Sequence, residues 1–300
     1  MQKPSISLRG VFPPIPTPFD KEGGVAYPAL VANLERWNRY PLAGYVIAGS
    51  NGEAPYLTDD ERVRLFKTAR AWIPGDRLLI AGTGCESTQQ TIALTRRAAG
   101  AGADTALVVT PHYYASKMGG DALVRHYQAV ADASTIPILI YNVPKFTHVN
   151  LEASAIARAA QHPNIVGIKD TGGDMAQLAN TVRLAGPDFQ VLAGSAGFFF
   201  AALVLGAVGG ILALANIAPL QAIEIYRLYQ AGAWDEAAAL QRKMIPVNSA
   251  VTARFDIAGL KAALDMLDYY GGPVRPPLTD LSLGDREAVH AILVEGGILP

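Results

Sequence analysis

Eight times along this chain a short apolar run rich in β-branched residues ends in a turn of Gly, Ser, Thr, Pro or Asn, and a segment of helical periodicity follows. The runs are GVFPPIPTP at 10–18, AGYVIAGS at 43–50, RLLIAGT at 77–83, TALVVTP at 105–111, IPILIYNVP at 136–144, NIVGIKD at 164–170, FQVLAGS at 189–195 and GGILALAN at 209–216. Strands linked through helices run parallel, and eight of them fit an α/β fold closed into a (βα)8 TIM barrel better than an open doubly wound sheet, which usually has about five or six. The helical segments carry their own punctuation. Thr58 and Glu61 make a capping box at the start of TDDERVRLFKTARAWI, and STQQTIALTRRAAGAG ends on glycines. From Pro219 onward the pattern is purely helical, through QAIEIYRLYQAG, WDEAAALQRKMI, IAGLKAALDMLDYYGG and a last segment near Asp285 to Val294. The expected organisation is a barrel over 1–218 and a C-terminal helical extension over 219–300, packed on it without a flexible linker.

Composition narrows the function classes. Half of the 300 residues are apolar, enough for a large core. The balance of 25 basic to 26 acidic residues, net −1, offers no electrostatic footprint for nucleic acid or an anionic membrane. Cys85 is the single cysteine, which excludes an internal disulfide and a multi-cysteine zinc site, fits a reducing compartment and reads as a packing residue. The N-terminal MQKPSISLRGVFPPIPTPF lacks the apolar core of a secretory signal, so a cytoplasmic location is expected. The uncharged stretch between Asp188 and Glu224 would score as a membrane span over Phe198 to Leu214. Glycines at 194, 197, 206, 209 and 210 divide it into strand, short helix and strand, which suits a buried β-α-β unit.

A barrel enzyme carries its reactive groups at the C-terminal ends of its strands. Lys169 closes the sixth run there. Beside Ile165, Val166 and Ile168 it should be partly desolvated, which disfavours its charged form and frees the amine to attack a ketone. Adjacent Asp170 should point to the opposite face. Taken alone, a lysine at a strand end is more often a surface residue. Tyr141, ending the fifth run, reads either as a core tyrosine or as a proton relay. Ser50 and Asn51, in GSNGE, read either as an ordinary turn or as a nest of N–H groups and a hydroxyl that holds a carboxylate. Tyr113 and Tyr114 read first as aromatic packing or a subunit contact. Other signals fall away: GTGCES lacks the third glycine of a dinucleotide fingerprint, the five histidines show no metal-ligand spacing, and no G-x-S-x-G elbow is present. No metal is expected.

Taken in order, GSNGE, TPHYY, YNVP, GIKD and LAGS resemble the dihydrodipicolinate synthase/N-acetylneuraminate lyase superfamily of class I aldolases over nearly the whole chain, and the separation of Tyr141 from Lys169 agrees with the family pattern. The resemblance implies that Lys169 forms an imine with a 2-oxo acid such as pyruvate, that Tyr141 relays protons, and that Ser50 and Asn51 hold the substrate carboxylate. It further implies that Tyr113 can reach across a subunit contact, and that backbone at Gly194 and Ile211 lines the pocket. No cofactor is needed, since the protonated imine is itself the electron sink. A homotetramer built from tight dimers is implied as well.

The synthases carry an arginine in YNVPxRT for the second substrate, whereas Phe146 stands there in YNVPKFT; sialate lyases place polar residues where Ala196 and Gly197 follow the seventh run. The C-terminal half is most similar to 4-hydroxy-2-oxoglutarate aldolases, which cleave their substrate to pyruvate and glyoxylate, and Thr171 is then placed to contact the 4-hydroxyl. Lys145-Phe146-Thr147-His148 departs from the pattern of those aldolases, so 2-keto-3-deoxy sugar acid aldolases and dihydrodipicolinate synthase, which condenses pyruvate with aspartate semialdehyde, stay as alternatives. A non-catalytic 2-oxo acid sensor is a third, which retention of Lys169, Tyr141 and GSNGE together argues against.

Overall fold

A computed structural model describes residues 6–300. Eight parallel strands follow one another in the sequence: β1 (Gly10–Phe12), β2 (Gly44–Ile47), β3 (Leu78–Gly82), β4 (Thr105–Val109), β5 (Ile138–Asn142), β6 (Ile165–Asp170), β7 (Gln190–Ala193) and β8 (Gly209–Ile211). From β2 to β8 each strand pairs with its sequence neighbour, and β1 pairs with β8. The seam between β1 and β2 is closed by Ala43 N–H to Val11 O (3.0 Å), Val46 N–H to Pro13 O (3.0 Å) and Ile15 N–H to Val46 O (2.9 Å). The first run is therefore ordered strand for three residues only. Pro13 and Pro14 have no N–H to give, and the carbonyl of Pro13 accepts at the seam.

Helices α1 (Tyr27–Trp37), α2 (Asp59–Trp72), α3 (Thr88–Gly100) and α4 (Gly120–Ala133) cover the first half of the barrel. A single turn α5 (Pro144–Thr147), then α6 (Ala153–Ala159), α7 (Met175–Ala185) and α8 (Phe199–Val204), cover the second. The capping box at Thr58 and Glu61 forms as its spacing predicts, worth on the order of 1 kcal/mol. The uncharged stretch becomes β7, α8 and β8, as its glycines imply, and among the described residues no helix is long and apolar enough to cross a membrane.

Four more helices follow: α9 (Pro219–Gln230), α10 (Trp234–Ser249), α11 (Asp256–Met266) and α12 (Leu283–Glu295). Helix α9 follows β8 as each earlier helix follows its strand, and it packs on β1 and α8 through Ala222 and Ile225. Residues 250–254 form a π-turn between α10 and α11. The extension is tied to the first half of the chain. Asn33 Nδ2 donates to Tyr270 O (2.8 Å), and the Trp37 ring stacks on Tyr269 at 5.1 Å.

Two hydrophobic layers result. Phe12, Val46, Ile80, Leu107, Leu139, Val166, Leu192 and Ile211 fill the barrel interior, and a larger shell lies between sheet and helices. Alternation along β6 is broken once: Ile138 pairs with Ile165, but Leu139 pairs with Gly167, so Val166 is an inserted residue. Gly167 is obligatory in that bend, because a Cβ there would lie 2.2 Å from Gln190 O.

Between α3 and α4, His126 is buried, shares a 2.9 Å hydrogen bond with Thr88 Oγ1, and has no described partner for Nε2. Burial pulls its imidazole down to about 4. The unfolded chain, with an ordinary histidine near 6.5, binds this proton first as pH falls. The stabilisation from a neutral His126 is thus complete above about pH 6.5 and lost progressively towards pH 4, amounting to roughly 3 kcal/mol. Urea unfolding at pH 7 and pH 5 checks this: the wild type should lose more stability between the two than His126→Phe does.

Candidate active site at the C-terminal mouth of the barrel

The inserted Val166 resets the inward-facing parity of β6. Ile165 and Ile168 pack in the outer shell, Val166 faces the interior, and Lys169 stands opposite Tyr141 on β5 and Leu192 on β7. The expectation that Ile165 and Ile168 desolvate Lys169 is therefore corrected. Both branched side chains point at helices, and the barrel interior buries the lysine, which is 3% exposed. Its Nζ lies 4.0 Å from the centroid of the Tyr141 ring, a cation–π distance. Tyr141 is 4% exposed, and its hydroxyl is 3.3 Å from Ser50 Oγ. Lysine, tyrosine and serine thus form one contact chain from β6 through β5 to the turn after β2.

That turn is built tightly. Gly52 and Ala54 both donate their N–H to Gly49 O (3.0 and 3.3 Å), and Thr17 Oγ1 donates to Gly52 O (2.6 Å). Asn51 is half-buried, and its carboxamide makes no hydrogen bond to described residues.

At the other wall, Thr171 N–H donates to Asn142 O (3.0 Å), while Thr171 Oγ1 is buried without a hydrogen-bond partner among the described residues. Gly194 N–H donates to Asp170 O at 2.7 Å, and a Cβ on Gly194 would lie 2.1 Å from Thr171 Oγ1, so only glycine fits there. Ile211 ends β8 inside the barrel, paired with Phe12. Asp170 is held behind the site. Its Oδ1 accepts from Gly172 N–H (2.8 Å) and Asn142 Nδ2 (3.4 Å), and burial raises its pKa against those hydrogen bonds.

Tyr113 stands apart from this cluster. It is 78% exposed, its ring meets Tyr114 edge-on at 5.0 Å, and its N–H is fixed by Glu86 Oε2 (2.8 Å). Cys85 is only partly buried, with Sγ 3.6 Å from Thr83 O, and desolvation raises its pKa. Among the described residues no three His, Cys, Asp or Glu side chains converge as a metal site.

The sequence reading missed the part of the mouth that α10 builds. Asn248 is 6% exposed, its Nδ2 lies 3.4 Å from Ser195 Oγ, and its Oδ1 is unpartnered among the described residues. Gln241 secures the β7 turn with Nε2 to Ala196 O (2.5 Å) and Oε1 accepting from Phe200 N–H (3.1 Å). Lys145 is drawn outward, its Nζ 3.2 Å from Thr252 O and 4.0 Å from Asp256. Phe146 is 43% exposed. In the sequence these α10 residues are polar positions on an amphipathic helix, and no local pattern shows that the helix returns across the end of β7.

Comparison with known proteins agrees with this architecture. The profile described as the dihydrodipicolinate synthetase family matches residues 7–295. The chain is 34% identical to a 4-hydroxy-tetrahydrodipicolinate synthase of Thermodesulfovibrio yellowstonii, covering 97% of this chain and 99% of that one. It is 36% identical to the enzyme of the same name from Methanothrix thermoacetophila, covering 96% and 97%. Among solved structures, the chloride-inhibited dihydrodipicolinate synthase of Acinetobacter baumannii in complex with pyruvate superposes with a TM-score of 0.93 at 32% identity, over 98% of this chain and all of that one. With a matching profile from end to end and relatives above 30% identity, this chain belongs to the dihydrodipicolinate synthetase family.

Proposed function

We propose that this protein is a Schiff-base aldolase that cleaves 4-hydroxy-2-oxoglutarate to pyruvate and glyoxylate. Family membership makes it a carbon–carbon lyase, and the family works on small molecules such as pyruvate. The observation that carries the mechanism is the buried Lys169 amine against Tyr141, with Ser50 at the tyrosine hydroxyl. In this reading Lys169 attacks the C2 ketone, water leaves, and a protonated imine forms. The C3–C4 bond then breaks: its electron pair flows towards the imine nitrogen to give an enamine, and the 4-hydroxyl loses its proton as glyoxylate departs. Protonation at C3 and addition of water release pyruvate and restore the amine. Tyr141 relays these protons, with Ser50 as its partner, while Ser50 and Asn51 hold the C1 carboxylate.

The choice of substrate rests on the distal wall. Thr171 Oγ1, without a hydrogen-bond partner among the described residues, supports a contact with the 4-hydroxyl, and Phe146 replaces the arginine expected of a synthase. The names of the relatives favour a second reading, condensation of pyruvate with aspartate semialdehyde. The exposed Tyr113–Tyr114 pair supports a subunit contact in which Tyr113 would be covered, and a homotetramer of tight dimers is what the family resemblance implies. Borohydride treatment with pyruvate, read by intact mass, should trap one adduct at Lys169. A lactate dehydrogenase-coupled assay should then show pyruvate release from 4-hydroxy-2-oxoglutarate. Trapping with turnover only on a 2-keto-3-deoxy sugar acid, or only with aspartate semialdehyde, replaces the substrate and keeps the mechanism.

A further inference from the structure

Behind the Ser50 turn lies a pair of charged side chains that the proposed chemistry does not use. Glu53 ends the turn in the left-handed region (φ 55), and its carboxylate is fully enclosed. Oε1 is 2.6 Å from Lys261 Nζ, an ion pair rather than a well-directed hydrogen bond, and Oε2 accepts from Arg275 N–H at 2.8 Å. Lys261, on α11, is 1% exposed; its Nζ donates to Pro273 O (2.7 Å) and lies 4.4 Å from the Phe19 ring centroid. Desolvation lowers its pKa, and the Glu53 carboxylate opposes that shift. The Arg275 guanidinium also lies over Phe19, at 4.3 Å, and donates to Gly23 O, Tyr56 O and the Glu61 carboxylate.

A buried ion pair is a weak source of stability, because desolvating two charges offsets most of their attraction; its best-attested use is to fix one arrangement against others. Here the two charges join a turn of the barrel mouth to a helix more than 200 residues later in the sequence. Glu53 N–H donates to Ser50 O (3.0 Å), so holding Glu53 holds the residue whose hydroxyl meets Tyr141. We infer that Glu53 and Lys261 are positioning residues, through which the C-terminal extension sets the angle of the Ser50–Asn51 turn and so the affinity for the 2-oxo acid carboxylate. This rests on the reading of Lys169 as the imine-forming lysine.

The test compares wild type, Glu53→Gln, Lys261→Met and the double variant Glu53→Leu/Lys261→Met. Each is measured for thermal midpoint, for the pyruvate concentration giving half-maximal borohydride trapping, and for kcat. Both single variants should be destabilised and should need roughly tenfold more pyruvate or more, since small misplacement of a binding group is costly. The double variant, freed of unpaired buried charge, should recover its thermal midpoint and keep the raised pyruvate requirement. A merely structural pair would restore both together, and that result overturns the inference, as does wild-type half-saturation in a folded Glu53→Gln. If a single variant does not fold, the double variant decides alone. Absence of trapping in the wild type overturns the Lys169 reading and this inference with it; trapping in the wild type with unchanged variants overturns this inference only.

Discussion

Lys169→Ala is expected to abolish turnover, by on the order of 10⁴-fold or more, and to abolish borohydride trapping, while the circular dichroism spectrum and thermal midpoint stay close to those of the wild type. The amine is the group that bonds covalently to C2 in the proposed chemistry. Lys169 is enclosed by the barrel interior and meets Tyr141 through its ring face. Alanine removes a buried polar group along with its stem, so the loss of packing is offset by the relief of burying that group. Stability and activity should therefore part company. Trapping by intact mass is the decisive reading, and an adduct on the alanine variant would place the imine on another lysine.

Tyr141→Phe should lower kcat by about 10²–10³-fold, the range of a lost proton relay, and leave the trapped adduct with pyruvate intact. The phenyl ring keeps the cation–π face 4.0 Å from Nζ, and the variant deletes only the hydroxyl that meets Ser50 at 3.3 Å. Imine formation then persists at a reduced rate while C–C cleavage stalls. Single-turnover measurements separate the two steps. A kcat equal to that of the wild type would remove Tyr141 from the relay, and loss of trapping with kcat would make it part of the imine-forming step instead.

Much of the architecture is written locally in the sequence. Eight apolar runs, each closed by turn residues, specify eight strands because every βα unit repeats the same burial problem, and the capping box at Thr58 marks α2 because its signal spans four residues. Lys169, Tyr141 and Ser50 were legible as strand-end residues on one rim of the barrel, and strand order places Lys169 beside Tyr141 on neighbouring strands. What was hidden is nonlocal. The side chains against Lys169 depend on an inserted residue in β6, and Asn248 and Gln241 reach the β7 turn from a helix whose own periodicity says nothing about where it docks. Glu53 and Lys261 look like surface charges in their own segments, and become a pair only when the extension folds back over the mouth.

The insertion at Val166 gives the strand something like a reading frame. Residues before it count inward and outward in one phase, and residues after it in the other, so the chemistry at position 169 is fixed by how many residues precede it since Ile165 as much as by what they are. Deleting one residue here would leave composition, strand number and helix order untouched, and yet turn the amine towards the helices and offer the interior an aspartate. Spacing within a single strand therefore counts here as much as residue identity: the same side chains with one residue fewer in β6 would keep the barrel and lose the proposed imine-forming site.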